Sequence, residues 1–139
     1  MHVSATWTAH HTPHPPVAQV CDQCRADTDL MNSMLGCTAS WLRHGSVPSE
    51  LLASGPLVPF GFAALSSPNL FDAAVDLLVE AVHYSHDHAQ HGALIGAIVP
   101  EVVKLVPRYD AAVADDDVDA ARALCRLFTE TGEQYLHLL

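Results

Sequence analysis

The sequence predicts an all-α fold, and three observations support this prediction. Apolar residues recur at spacings of three, four and seven over most of the chain, which is the period of one helix face. Half of the residues are apolar and 16% are charged, so the chain can bury a core and does not have the composition of a disordered protein. Finally, no segment has the alternating pattern of a half-buried strand.

Residues 1–16 are rich in Thr, His and Pro and lack an apolar period, which predicts an irregular or disordered lead-in. Residues 17–139 are predicted to form one helix after another. Proline and glycine divide this part into helices with short connectors. The predicted helices cover about residues 17–25, 29–44, 48–54, 57–65, 67–84, 92–114 and 119–136.

Each helix has a predicted buried face. The hydrophobic helix at 57–65 is expected to be buried on most sides, and Trp41 is expected to lie in the core. In the helix at 29–44, the predicted buried residues are Leu30, Met31, Met34, Leu35, Thr38, Trp41 and Leu42. In the helix at 67–84 they are Leu70, Phe71, Ala74, Val75, Leu78 and Val82. In the last helix they are Ala121, Leu124, Cys125, Phe128 and Tyr135.

Two features interrupt these patterns. Asp72, Asp76 and Glu80 are four residues apart on the polar face of one helix, and such a row costs a few tenths of a kcal/mol per pair unless a basic group faces it. Pro100 and Pro107 lie inside the apolar segment at 92–114, where each is expected to kink or divide the helix.

The composition also limits the class of partner. The net charge is −10 and Lys104 is the single lysine, which disfavours direct nucleic-acid binding. We find no signal-peptide pattern and no run of about 18 consecutive apolar residues, so we expect no membrane partner. The four cysteines lie mostly in helical patterns, which predicts buried thiols in a reduced compartment.

Two groups of residues could bind a metal. Residues 83–91, a predicted polar connector, contain four histidines that are good ligands for zinc, nickel or copper: His83, His86, His88 and His91. Cys21 and Cys24 form a lone C-x-x-C pair, which could be completed by His10, His11 or His14. The more common reading is a solvated loop and two buried cysteines, so no metal or other cofactor is expected.

Five carboxylates crowd the turn before the last helix: Asp110, Asp115, Asp116, Asp117 and Asp119. Acids are typical of a helix N-terminus, where the dipole favours negative charge. The same residues could attract an Arg-rich partner by charge complementarity. No nucleophile, phosphate-loop or metalloprotease motif is present, so an enzyme is not expected.

Three stretches, in order and in register, resemble a known family. Met34–Gly45 resembles a Cys/Gly-x-Ser-Trp-x-x-x-Gly helix end, Ser67–Asp76 resembles an Asn-Leu-x-Glu/Asp-Ala-Ala/Ser helix start, and Leu124–Glu130 followed by Gly132 and Glu133 resembles a later helix. All three are similar to the transportin-SR branch of the importin-β karyopherins, and the resemblance covers about Val17 to Leu139.

This resemblance implies a HEAT-like α-solenoid of about three helical pairs, and the uncapped ends lead us to expect a piece of a longer array. It implies a nuclear transport receptor that shuttles between nucleus and cytoplasm. The implied partners are cargo proteins with basic or Arg/Ser-rich signals, Ran GTPase and nuclear pore proteins. Two alternatives remain open: a stand-alone helical protein with a His-cluster metal site, and a helical scaffold without a transport role.

Overall fold

The protein is seen in a computed structural model that describes residues 27–45, 47–85 and 87–136. This part of the chain contains seven α-helices and no strand, which confirms the all-α prediction. The helices are α1 Thr28–His44, α2 Ser49–Ser54, α3 Leu57–Ala64, α4 Phe71–Tyr84, α5 His88–Val103, α6 Val106–Ala114 and α7 Val118–Tyr135. The predicted lead-in at 1–16 and the predicted helix at 17–25 lie outside the described residues.

The helices form two layers. The long-helix layer consists of α1, α4 and α7, in which α4 packs between the other two. The broken-helix layer consists of α2, α3, α5 and α6, in which α2 packs on α5. Between the layers, α3 packs on α4, and α6 packs on α7. This stacking of successive helical pairs is consistent with the HEAT-like arrangement that the sequence predicts.

Aspartates begin three of the helices. The Asp27 carboxylate accepts a hydrogen bond from the Leu30 amide at 3.1 Å. Asp87 caps α5 and Asp117 caps α7 in the same way. Each cap satisfies amide groups that a helix N-terminus leaves unpaired. The cap at Asp87 was not predicted, because residues 83–91 were predicted to be one connector.

That connector is shorter than predicted. Helix α4 continues through His83 and Tyr84, and α5 already begins at His88. Helix α4 also begins at Phe71 instead of Ser67, because Pro68 and Asn69 lie in the turn before it. The cap at Asp87 gives α5 a favourable first turn, so the polar residues before it do not require a long loop.

The two prolines act differently. Pro100 is tolerated inside α5, close to its C-terminal end. The long apolar segment is divided at Lys104 and Leu105, after which Pro107 lies in the first turn of α6. Proline suits a first turn because its missing N–H has no helical partner there. The expectation that each proline kinks or divides the helix is therefore confirmed for Pro107, next to which the helix divides, and wrong for Pro100, around which α5 keeps helical backbone angles.

The core is centred on α4. All six residues of its predicted stripe are buried, and three more that were not predicted are buried as well: Leu77, Val79 and Ala81. Helix α4 is surrounded by α1, α3 and α7, so its buried surface is wider than a single stripe. Gly61 of α3 lies so close that a Cβ there would be 3.1 Å from Leu78 Cδ2.

Several predicted core residues are exposed. Trp41 is 63% exposed, Met34 52% and Leu30 54%, so α1 buries only Leu35, Ala39 and Leu42 among its apolar residues. The prediction for Trp41 was wrong because the packing partner of α1 is α4, and the indole lies on another side of the helix. Helix α3 is buried on one side only, with Phe60 and Phe62 partly exposed.

The buried face of α7 differs from the predicted one. Its buried residues are Leu124, Leu127, Thr131 and Tyr135, whereas Cys125 is exposed and Ala121 and Phe128 are half-buried. Cys37 is exposed too, so neither cysteine in the described part of the chain is buried as predicted. The contact with α4 determines which face of α7 is buried. Because α7 has two neighbouring apolar stripes, the sequence alone predicted the wrong one to be buried.

By length and apolar composition alone, Ala89–Ala114 could cross a membrane. Helices in the core of a globular protein pass the same test. The structure divides this stretch into α5 and α6, and Leu94, Ile98 and Val102 of α5 belong to the core.

A buried hydroxyl pair joins α7 to the end of α4. Ser85 is fully buried, its hydroxyl donates to the Val82 carbonyl at 2.8 Å, and it forms a second hydrogen bond with the Tyr135 hydroxyl. Burial raises the pKa of Tyr135 above its ordinary 10.0, and the hydrogen bond with Ser85 lowers it by a smaller amount. The neutral phenol is therefore favoured in the folded state.

This shift predicts an alkaline loss of stability. The unfolded phenol releases its proton first, so the contribution of Tyr135 is complete below pH 10 and is lost as the pH rises toward the higher folded pKa. We expect the free energy of unfolding to fall by as much as about 1.4 kcal/mol per pH unit in that range. Urea unfolding from pH 8 to 11 measures it, and Tyr135→Phe should show a shallower fall. Identical slopes would contradict the assignment.

Candidate functional site

The acidic turn between α6 and α7 brings the five predicted aspartates together. Asp110 lies on α6, Asp115 and Asp116 form the turn, Asp117 caps α7, and Asp119 lies in its first turn. All five are exposed. The five aspartates thus lie on an exposed stretch of the chain between residues 110 and 119.

Backbone hydrogen bonds fix the shape of this turn. The Asp115 amide donates to the Ala111 carbonyl at 2.9 Å, and the Asp117 amide donates to the Ala112 carbonyl at 2.9 Å. Asp116 has a φ of 58°, a left-handed conformation that Asp and Asn adopt more readily than most residues. The Asp117 carboxylate accepts from the Ala120 amide at 3.1 Å, so its role is partly structural.

An apolar groove lies beside the turn. It has a volume of about 350 Å³, and Val113, Ala121 and Cys125 line it together with Asp116 and Asp117. Val113 and Val118 are 56% and 55% exposed. The sequence did not indicate this groove, because its walls come from the packing of α6 on α7. A signal was present, since valines flank the acidic run on both sides.

Two of the three acids in the row on α4, in contrast, form ion pairs within the chain. Asp76 accepts from Arg126 of α7 at 2.7 Å, and Glu80 accepts from Arg43 of α1 at 2.8 Å. These arginines are the basic groups that the row needs to avoid self-repulsion. Each exposed pair contributes only about 0–1 kcal/mol, but together they link the three long helices.

The two acidic clusters therefore differ in their electrostatics. None of the five carboxylates in the acidic turn forms an ion pair within residues 27–45, 47–85 and 87–136. An unpaired, exposed acidic cluster attracts cations of any kind and favours encounter with a basic partner. The carboxylates of the turn thus differ from Asp76 and Glu80 on α4, which both have an arginine partner.

The two described histidine side chains of the predicted cluster, those of His83 and His91, lie in different environments. His83 lies on the surface, where its Nε2 atom is 2.6 Å from Glu130 Oε2 of α7. His91 is 5% exposed, and its ring lies 5.1 Å from the ring of Tyr84. His86 and the side chain of His88 lie outside the described residues. Among the side chains that are described, no group of three His, Cys, Asp or Glu residues could hold a metal ion.

We therefore expect chelators to leave the thermal unfolding of this protein unchanged. His83 and His91 have contacts that account for them without a metal, and a structural metal would raise the midpoint of unfolding by mass action. Melting followed by circular dichroism, with and without EDTA after dialysis, measures this. A fall of several degrees on chelation, restored by added zinc, would instead support the metal site. The Cys21–Cys24 pair lies outside the described residues.

Comparison with known proteins identifies the relationships of the chain. A sequence profile for Exportin 1-like proteins matches residues 12–78. The chain is 32% identical to Transportin MOS14 of Arabidopsis thaliana over 124 residues, which are 84% of this chain and 12% of that protein. It is 26% identical to Importin-13 of Homo sapiens and 25% identical to Importin-13 of Gallus gallus, each over 125 residues. Those matches cover 90% of this chain and 13% of each importin.

The chain belongs to the importin-β family of karyopherins. This karyopherin sequence spans about an eighth of the length of the curated relatives that it matches. Karyopherins are helical-repeat proteins of nuclear transport and are not enzymes, so the predicted class is confirmed at this level. The two-layer stack of α1–α7 is the corresponding fold.

Proposed function

We propose that this chain is part of a nuclear transport receptor of the transportin-SR branch, which carries protein cargo into the nucleus. The observation that carries the proposal is the similarity to Transportin MOS14, which extends over 84% of the chain. The three sequence stretches that resemble this branch lie in α1, at the start of α4 and in α7. The proposed partners are Ran GTPase, nuclear pore proteins and cargo, and the proposed location is both nucleus and cytoplasm.

We further propose that cargo with basic or Arg/Ser-rich signals contacts the acidic turn. Asp110, Asp115 and Asp116 support this because they are exposed and lack ion pairs among the described residues. The adjacent groove adds an apolar contact surface, and a net charge of −10 favours the approach of basic proteins.

The test is the binding of a fluorescent Arg/Ser-rich peptide to the full chain, measured by anisotropy at low and physiological salt. Replacing Asp110, Asp115 and Asp116 with asparagine removes three charges, and asparagine retains the left-handed conformation at position 116. Each lost exposed pair contributes about 0.5 kcal/mol, so we expect a roughly tenfold weaker affinity. The salt dependence of binding should also decrease.

A matched control removes the same charge elsewhere. Asp29→Asn, Glu50→Gln and Glu133→Gln are exposed sites on α1, α2 and α7 outside the turn, and this triple variant should bind nearly as well as the parent. Equal weakening in both triple variants would reduce the effect to net charge and overturn the site.

The receptor role is tested separately in the complete polypeptide that carries this sequence. We expect it to co-precipitate Ran loaded with a GTP analogue but not Ran loaded with GDP, and to release an Arg/Ser-rich cargo when the GTP form is added. Ran binding without the release of that cargo would point to export. Failure to bind either form of Ran would instead favour a helical scaffold without a transport role.

A further inference from the structure

The groove between α6 and α7 is formed by one apolar face of each helix. Its apolar lining residues recur at spacings of three and four, so each set lies on one side of its helix. They are Tyr109, Ala112 and Val113 on α6, and Val118, Ala121 and Cys125 on α7. The two valines are more than half exposed, so the apolar surface of the groove is open to a ligand.

The groove carries opposite charges at different points of its rim. Asp116 and Asp117 line it at the turn, and the exposed Arg122 lines it one helical turn beyond Val118. None of these three charged side chains forms an ion pair with another residue in the described ranges of the chain. A basic group is therefore attracted to the turn and repelled near Arg122, which gives a bound basic segment a direction.

The size of the groove limits what it can hold. Its volume of about 350 Å³ is near the lower end of the range for ligand pockets, roughly 300–1,000 Å³. An open groove of this size has room for one or two side chains of an extended peptide. Apart from its charged rim the lining is apolar, so an apolar side chain gains free energy there, whereas a serine hydroxyl would lose its hydrogen bonds to water.

We propose that the groove binds an apolar side chain of the cargo signal, next to arginines that lie on one side of it only. This inference rests on the cargo contact proposed above and specifies the signal further: a leucine or a residue of similar size must be adjacent to the arginines. The arginines contact the carboxylates of the turn, and the apolar side chain lies on Val113 and Ala121. Arg122 disfavours further basic residues beyond it.

Three fluorescent peptides of equal charge test this inference on the full chain. All carry the same arginines; the leucine peptide has a leucine directly after them, and the serine peptide has a serine there. Because the leucine loses contact with water, we expect it to tighten binding about tenfold. In the third peptide the leucine follows six residues later, about 20 Å away in an extended chain, and this peptide should bind like the serine peptide. Equal affinity of the leucine and serine peptides would overturn the inference.

A groove variant assigns the gain to this site. Ala121→Met fills space between α6 and α7, so the leucine and serine peptides should bind it with similar affinity. Ala111→Met is the same change at an exposed position of α6 that does not line the groove, and it should keep the tenfold difference. A tenfold difference that persists in Ala121→Met would mean that the leucine binds elsewhere, which contradicts the inference.

Cys125 reports on the groove without any variant. Its thiol is exposed and lines the groove, whereas the exposed thiol of Cys37 is on α1. The leucine peptide at saturation should slow the alkylation of Cys125 several-fold relative to Cys37. Unchanged alkylation would overturn the inference. So would protection of Cys125 without peptide, either at high concentration of the chain, which indicates a second copy, or in the complete polypeptide, which indicates another part of the receptor.

The same peptides separate this inference from the proposed function. The triple asparagine variant of Asp110, Asp115 and Asp116 should weaken the serine peptide if the turn binds arginines, whatever the groove binds. Weakening in that variant, with equal affinities of the parent chain for the leucine and serine peptides, would refute the groove inference alone. No weakening would refute the contact between cargo and the turn, and the groove inference with it.

Discussion

Replacing Leu78 with alanine is expected to lower the free energy of unfolding by about 3–5 kcal/mol. Leu78 is fully buried on α4, the helix that packs against α1, α3 and α7. Its Cδ2 atom would lie 3.1 Å from a Cβ at Gly61 of α3, so α3 packs closely against this side chain. Three helices surround the site, so none can move to fill the cavity without losing its other contacts, and the upper part of that range is expected.

Leu51 provides the matched control. Leu51→Ala is the same change of residue on α2, where the side chain is 63% exposed. Leu51→Ala should change the free energy of unfolding by no more than about 0.5 kcal/mol, because exposed substitutions away from special features have small effects. Urea denaturation followed by circular dichroism measures both variants. A cost below about 1.5 kcal/mol for Leu78→Ala would mean that α4 is not the centre of the core.

Replacing Arg108 with alanine is expected to cost about 2–3 kcal/mol. The guanidinium of Arg108, on α6, donates to the carbonyl of Leu65 and lies 5.0 Å from the centre of the Phe71 ring. Leu65 is fully buried, so its carbonyl loses a charged donor that water cannot readily replace. The loss of the cation–π contact adds a smaller amount.

Two further variants separate these contributions. Arg108→Lys keeps the charge but not the planar group that stacks on Phe71, so we expect an intermediate loss. Arg122→Ala removes an exposed arginine from α7 and should be nearly neutral. Denaturant unfolding gives the three values, and amide hydrogen exchange should show faster opening of α6 in Arg108→Ala. A cost for Arg108→Ala equal to that for Arg122→Ala would show that this contact does not hold α6 in place.

The local pattern of the sequence was enough to predict the class of fold and most of the helices. It also identified the buried stripe of α4, because that helix has core on several sides and most of its apolar residues are buried. The pattern failed for Trp41 and Cys125. Each lies on a helix with two apolar stripes, and the sequence alone does not say which stripe meets its neighbour.

In the candidate site, too, local features were predicted from the sequence and contacts between distant residues were not. The five aspartates of the turn lie close together in the sequence, which predicts that they share one part of the surface. The caps at Asp27 and Asp117 are local as well, because each carboxylate accepts from an amide three residues further along the chain. The arginines that pair with α4 were not predicted, because Arg43 and Arg126 are 37 and 50 residues away from their partners. The groove beside the turn was missed for the same reason, since it exists only once α6 and α7 are in contact.

The positions of the helix breaks have a mechanical consequence. Two breaks between helices fall in one layer, at Gly55–Pro56 between α2 and α3 and at Lys104–Leu105 between α5 and α6. The opposite layer consists of three unbroken rods of 14 to 18 residues, which ion pairs tie to one another. When the stack of helices bends, the layer with the two breaks changes its length at these joints. The layer of three unbroken helices resists a change in length. We therefore expect strain to concentrate at the two joints, so that the ion-paired layer acts as the spine about which the curvature of the molecule changes.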